Sequence, residues 1–284
     1  MGNAALRRRV PAFAASLASL VMAASLAAAP AQAVDKTKYI ALGDSFAAGQ
    51  GAGPYLDACY RSDNAYSELA DQSKAIQLVV NAACSGNTTS DVVNTQLRQL
   101  NKSTELVTIT AGGNDIGFGS IIGACGVALI NVTPGQDCLD ATTTANTLIQ
   151  SKKLYNNVLS MINSVRAAAP NAKIVVTGYP YLIDPIPGGM TSPAALFIYQ
   201  ATQLADDLDG SIAEAAAFAD GATAGDPKVQ YVDVRLKFLG HGALTPGDPW
   251  INAATGNADS FHPNAKGYQA YYSALNQAGV YSAP

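Results

Sequence analysis

Ser45 closes the run Tyr39-Ile40-Ala41-Leu42-Gly43-Asp44-Ser45-Phe46, where an apolar stretch passes straight into a Gly-Asp-Ser turn. A serine hydroxyl is a weak nucleophile until a base within hydrogen-bond reach takes its proton. The chain offers two histidines, His241 and His262. His262 lies in Asp259-Ser260-Phe261-His262-Pro263. A carboxylate three residues ahead of it can fold back in a turn and accept from Nδ1–H, which leaves Nε2 free to take a proton. His241 sits between glycines without such a partner and reads as structural or peripheral.

Attack on a carbonyl also needs donors for the oxyanion. Three candidates follow apolar runs: the N–H of Ser45 at a helix start, the N–H of Gly86 in Cys84-Ser85-Gly86-Asn87, and the side-chain amide of Asn114 in Ala111-Gly112-Gly113-Asn114-Asp115. Each alone is ordinary turn chemistry. Together with His262 they supply one group for every role that acyl transfer requires.

Such groups must be brought to one place. Five short runs read as strands: Tyr39–Leu42, Gln77–Val80, Leu106–Thr110, Lys173–Thr177 and Gln230–Val234. They are mostly continuous in Val, Ile, Leu and Thr, the pattern of strands buried on both faces of a parallel sheet. Helical periodicity lies between and after them, at Ser62–Ser73, Leu148–Ala169, Ala194–Ala219 and Ala265–Gln277. Alternating strands and helices imply right-handed βαβ units with helices on both faces. The segments at Ser45, Gly86 and Asn114 follow the first three strands, and His262 lies beyond the last. All four would meet at the carboxyl edge of the sheet. Two long stretches, Ile116–Ala145 and Tyr179–Pro193, read as irregular. The second carries the apolar residues Tyr181, Leu182, Ile183, Ile186 and Met190.

This order of blocks resembles the SGNH, or GDSL-type, hydrolase family. Gly43-Asp44-Ser45 is similar to its first block, Gly86 to the second, Gly113-Asn114-Asp115 to the third and Asp259-x-x-His262 to the fifth. Gly-Asp-Ser-Phe-Ala-Ala-Gly, Ala-Cys-Ser-Gly-Asn, Thr-Ala-Gly-Gly-Asn-Asp and Gly-Asp-Pro-Trp-Ile-Asn further resemble the secreted actinobacterial lipases and phospholipases A. The resemblance implies a flavodoxin-like three-layer α/β/α sandwich on a five-stranded parallel sheet. It implies Ser45 as nucleophile, His262 as base, Asp259 as its orienting residue, and Ser45, Gly86 and Asn114 as the oxyanion hole. Some family members orient the histidine with a main-chain carbonyl, so the carbonyl of Ser260 can share that work with Asp259. The implied activity is hydrolysis of lipid carboxylic esters through an acyl-enzyme, with no metal and no cofactor. A polysaccharide deacetylase or short-chain esterase is the alternative within hydrolases. A non-catalytic glycan-binding module on the same fold is the alternative outside them.

Composition sets the surroundings. Arg7, Arg8 and Arg9, the alanine-rich apolar segment 12–29 and the small residues around Ala33 form a signal-peptide pattern, so residues 1–33 are expected to be removed on secretion. Removing 33 of 284 residues leaves 251, enough for one domain over residues 34–284. The net charge of −4 becomes about −7 without the three arginines. With no basic stripe, nucleic acid is excluded as a partner. The expected partners are an ester substrate and, transiently, a lipid surface, with the protein itself a monomer. Four cysteines, Cys59, Cys84, Cys125 and Cys138, favour two disulfides in an exported chain. Three pairings exist, and proximity in sequence suggests Cys59–Cys84 and Cys125–Cys138. Zinc is disfavoured, because there is no Cys-x-x-Cys pair and only two histidines.

Overall fold

Ile40, Ala41 and Leu42 are buried on both faces of a central strand, as their unbroken apolarity requires. The computed structural model describes residues 1–2, 35–126, 134–186, 192–221, 228–253 and 256–282. In it the strands are β1 (Thr37–Gly43), β2 (Ile76–Asn81), β3 (Leu106–Thr110), β4 (Lys173–Thr177) and β5 (Val229–Val232). All neighbours are parallel, in the order β2-β1-β3-β4-β5. β3 and β4 have the expected residues. β5 stops at Val232, because Val234 turns into the 3₁₀ helix Arg235–Phe238. β2 departs from the doubly buried pattern: it is an edge strand, and Gln77 and Val79 are exposed.

The strand order places the layers. The path from β1 to β2 runs one way across the sheet, and from β3 through β4 to β5 the other way. Right-handed crossovers therefore put the two sets of helices on opposite faces. On one face Tyr66–Asp71 packs against Ala265–Gln277, with the rings of Tyr66 and Tyr271 stacked at 4.9 Å. On the other, Lys153–Ala168 packs against Pro193–Gly221. The result is the α/β/α sandwich, with the switch in winding direction falling between β1 and β3.

Thr110 and Thr177 sit in strands with no exposed surface. Their hydroxyls lie in one chain, Tyr66 Oη–Thr110 Oγ1–Thr177 Oγ1–Tyr271 Oη, with separations of 2.9, 2.7 and 2.7 Å. Burying these polar atoms is tolerated because each has a partner.

The long helix expected over Leu148–Ala169 is two helices, Gln136–Gln150 and Lys153–Ala168. Lys152 between them has φ 61°, a left-handed conformation that interrupts the helical hydrogen bonds. The stretch expected to be irregular from Ile116 also carries the helix Phe118–Cys125. Both disulfides are present, Cys59–Cys84 and Cys125–Cys138. The first ties the loop before Tyr66–Asp71 to the turn bearing Gly86. The second joins Phe118–Cys125 to Gln136–Gln150. The signal peptide read over residues 1–33 lies outside the described residues, apart from the first two. Among the described residues no helix is long and apolar enough to cross a membrane.

Candidate active site

β1 ends where it crowds β3. A Cβ on Gly43 would stand 2.1 Å from the Thr110 carbonyl oxygen, so only glycine fits there. The Asp44 N–H then donates to that same oxygen at 2.9 Å. Asp44 caps the single helical turn Ser45–Ala48, accepting from Phe46 N–H at 3.0 Å. Ser45 is thereby placed at the first position of the turn, where its N–H has no hydrogen-bond partner among the described residues.

His262 arrives on a separate loop, clamped from both sides. Asn252 N–H donates to the His262 carbonyl at 2.9 Å, Phe261 N–H to the Asn252 carbonyl at 3.1 Å, and Asn264 N–H to the Trp250 carbonyl at 2.8 Å. The Asn252 side chain donates to the Gly51 carbonyl at 2.9 Å. The Gly-Asp-Pro-Trp-Ile-Asn segment thus fixes the histidine loop against the serine turn. His262 Nε2 lies 2.8 Å from Ser45 Oγ.

Nδ1 of His262 lies 3.1 Å from the carbonyl oxygen of Ser260. A carbonyl can only accept, so Nδ1 carries the proton and Nε2 is the acceptor facing the serine hydroxyl. Of the two groups expected to share the orienting of the imidazole, the Ser260 carbonyl faces Nδ1, and the Asp259 side chain bonds elsewhere. Its carboxylate accepts from the Tyr55 hydroxyl. The physical reason is the turn itself: His262 N–H closes onto the Asp259 main-chain carbonyl at 3.1 Å, which leaves the Ser260 carbonyl facing Nδ1. Asp259→Asn is therefore expected to lower kcat/KM by less than about tenfold, because the remaining effect of the carboxylate is through-space charge near a solvated surface. Initial rates on one soluble ester test this. A loss equal to that of Ser45→Ala would return the orienting role to Asp259.

Burial pushes His262 down to about 4, outweighing the opposing pull of the Ser260 carbonyl and the Asp259 charge. The neutral, proton-accepting form then prevails above about pH 4. We expect kcat/KM to stay level through the weakly acidic range and to fall roughly tenfold per unit below about pH 4. A pH–rate profile whose acid limb lies near the ordinary histidine value would contradict this. Stability shifts in the same direction. The unfolded chain binds the His262 proton more readily, so this contribution is full above the ordinary value of 6.5 and is lost as pH falls towards 4.

Gly86 is the third residue of a turn closed by Asn87 N–H onto the Cys84 carbonyl at 3.2 Å, and its φ of 81° is what a type II turn requires there. Its N–H has no partner among the described residues. Asn114 donates one amide hydrogen to the Asn87 carbonyl at 2.9 Å, which leaves the second to a ligand. Two residues that sequence reasoning passed over lock these loops together. Buried Gln96 exchanges two 2.8 Å hydrogen bonds with the main chain of Gly43 and donates to Asn87 Oδ1 at 2.8 Å. Asp115 accepts from Thr89 N–H and Oγ1 at 2.9 and 2.6 Å and from Asn157 at 3.0 Å. Asp115 had a signal, its place in Gly-Gly-Asn-Asp; Gln96 had none. His241 lies apart, its ring stacked on Trp250 at 3.5 Å and its Nδ1 on the Asp248 carbonyl at 2.8 Å.

A mainly apolar cavity of about 420 Å³ reaches the turns that carry Ser45 and His262. Phe46 and Phe261, the sequence neighbours of Ser45 and His262, form one end. Phe118, Ile122, Leu182 and Phe197 are among its other walls, and the Cys125–Cys138 disulfide lies in its lining. No lysine, arginine or histidine lines it among the described residues.

A serine hydroxyl bonded to a correctly protonated imidazole, at the switch point of a parallel sheet, is equipped for acyl transfer. The match to the family model confirms the class. The model of the GDSL-like lipase/acylhydrolase family matches residues 41–270, and the chain belongs to that family. It is 35% identical over 269 residues to Lipase 1 of Streptomyces coelicolor, covering 90% of this chain and 94% of that protein. Its fold is similar to that of an extracellular lipase from Streptomyces rimosus, with a TM-score of 0.73, 32% identity, and coverage of 85% of this chain and 99% of the other. It is equally similar to phospholipase A1 from Streptomyces albidoflavus, with a TM-score of 0.72, 33% identity and the same coverage. The protein is a carboxylic ester hydrolase.

Proposed function

We propose that the protein hydrolyses carboxylic esters of lipids through an acyl-enzyme on Ser45, and that the apolar cavity takes the acyl chain. His262 Nε2 accepts the Ser45 proton as Oγ attacks the ester carbonyl. The N–H groups of Ser45 and Gly86 and the side chain of Asn114 hold the oxyanion. His262 then protonates the leaving alcohol. In the second half it takes a proton from water, which attacks the acyl carbon, and returns that proton to Ser45 Oγ as the acid leaves. The observation that carries the lipid reading is the cavity. Its volume of about 420 Å³ is oversized for an acetyl group, given that one water occupies about 30 Å³ in the liquid. The wall is mainly apolar, with polar side chains such as Thr142, Asn146, Gln150 and Asp207 set into it, and the apolar part suits a hydrocarbon chain.

The relatives point the same way. One is named as a lipase and another as a phospholipase A1. Leu139, in the cavity wall, and Leu196 and Tyr199, on the helix that contributes Phe197 to it, are exposed. These residues give a monomer an apolar rim for transient contact with a lipid surface. Two disulfides suit an oxidising compartment, and with the sequence pattern of residues 1–33 they support export. The test is a series of p-nitrophenyl esters from acetyl to palmitoyl, with Ser45→Ala as control. Activity retained on long chains is expected. Activity confined to acetyl and butyryl esters would favour the small-ester or deacetylase reading.

A further inference from the structure

The phenol of Tyr179, two residues past β4, stands between the two turns that carry the reacting groups, and no step above uses it. Its hydroxyl donates to Asp44 Oδ2 at 2.5 Å and accepts from Gly113 N–H at 2.9 Å. Asp44 immediately precedes Ser45, and Gly113 immediately precedes Asn114. The other Asp44 oxygen is the one that caps the Ser45 turn. One hydroxyl therefore joins the nucleophile turn to the oxyanion turn. We propose that Tyr179 is a positioning residue whose hydroxyl sets the placement of Asn114 relative to Ser45. This proposal rests on the reading of Asn114 as an oxyanion donor.

The strut is rigid at its far end. Tyr179 N–H donates to Asp209 Oδ1 at 2.9 Å, and Asp209 is buried. Asp209 Oδ2 lies 3.3 Å from Arg235 Nε, and Arg235 is also paired with Asp206 at 2.5 Å and Asp233 at 2.6 Å. The Tyr179 ring meets Phe46 edge-on at 5.0 Å, and Phe46 lies 5.1 Å from the His262 ring. Side chain and main chain are thus both held, so the hydroxyl has little freedom to follow a drifting loop. Burial also pushes Asp44 up to about 7, and the Tyr179 hydrogen bond opposes that shift by favouring the charged form. A packing role alone would be met by phenylalanine. That residue would fill the same space and leave Gly113 N–H and Asp44 Oδ2 without their partner.

Tyr179→Phe keeps the ring and removes the strut. A misplacement of about 1 Å at a reacting group costs about 10²-fold, so kcat on a p-nitrophenyl ester is expected to fall about ten- to hundredfold, with KM changed less than about threefold. Affinity for an alkyl boronic acid, which forms a tetrahedral adduct on Ser45, should fall in parallel. The sharper readout is coupling. In an Asn114→Ala background, Tyr179→Phe should lower kcat by no more than about twofold further, because the strut acts through Asn114. Equal losses in both backgrounds would overturn the proposal and show that the hydroxyl acts on the Ser45 turn through Asp44 rather than on Asn114. So would a Tyr179→Phe protein with kcat within about twofold of wild type while Asn114→Ala is impaired. Should Asn114→Ala alone cost nothing, the oxyanion reading falls and the proposal with it. If Tyr179→Phe does not fold, Asp44→Asn weakens the other end of the strut. Its loss in kcat must then shrink in the Asn114→Ala background, and an undiminished loss overturns the proposal.

Discussion

Ser45→Ala is expected to lower kcat/KM on every ester by about 10⁵–10⁶, the loss typical of removing the nucleophile of a serine hydrolase while its oxyanion donors remain. The reason is geometric. Among the described residues Ser45 Oγ is the only hydroxyl bonded to Nε2 of the correctly protonated imidazole. Ser45 is nearly buried, at 5% exposure, so water does not readily replace it in the same position. His262→Ala should cost nearly as much, and the double variant little more, because the two side chains act as one unit. The fold should survive. Among the described residues the Ser45 hydroxyl has no partner besides His262, and the cap on its turn belongs to Asp44. Initial rates with an unchanged thermal midpoint, and loss of labelling by an active-site phosphonate, are the measurements. A purified Ser45→Ala protein retaining a tenth of wild-type activity would remove Ser45 from the mechanism.

Asn114→Ala is expected to cost about 10²–10³ in kcat, the usual loss for one oxyanion-hole donor, with KM nearly unchanged. A donor aimed at charge that develops only in the transition state contributes little to ground-state binding. The amide also bonds the Asn87 carbonyl, so its removal loosens the turn that carries Gly86. The magnitude should therefore lie towards the upper end of that range. Phosphonate labelling should persist at a reduced rate, since the nucleophile and base are intact. A kcat within about threefold of wild type would show that the second Asn114 hydrogen does not reach the oxyanion.

Much of the site was legible because its pieces are local. Gly43-Asp44-Ser45 declares a strand end, a cap and a helix start within a few residues, and the cap is an i to i+2 hydrogen bond. Gly86 declares a turn by its conformational need alone. β3 and β4 show themselves by continuous apolarity, since both of their faces are covered. β2 misled because an edge strand obeys the other pattern. The helix break at Lys152 was hidden because nothing in its residue type demands a left-handed backbone, and the apolar stripe continues on either side.

What the sequence by itself determined is the inventory and the order: a serine turn, two turns with candidate oxyanion donors, a histidine turn, and strands able to bring them to one edge. Only the tertiary structure decided which groups touch. It gave Nδ1 to the Ser260 carbonyl and the Asp259 carboxylate to Tyr55. It set Tyr179 between turns 66 and 135 residues away in sequence. It lined the apolar cavity from the segments that follow β1, β3 and β4 and from Phe261 on the histidine loop. Periodicity records which face of an element is buried. Hydrogen bonds between distant loops depend on how those faces are stacked, and no local spacing encodes that.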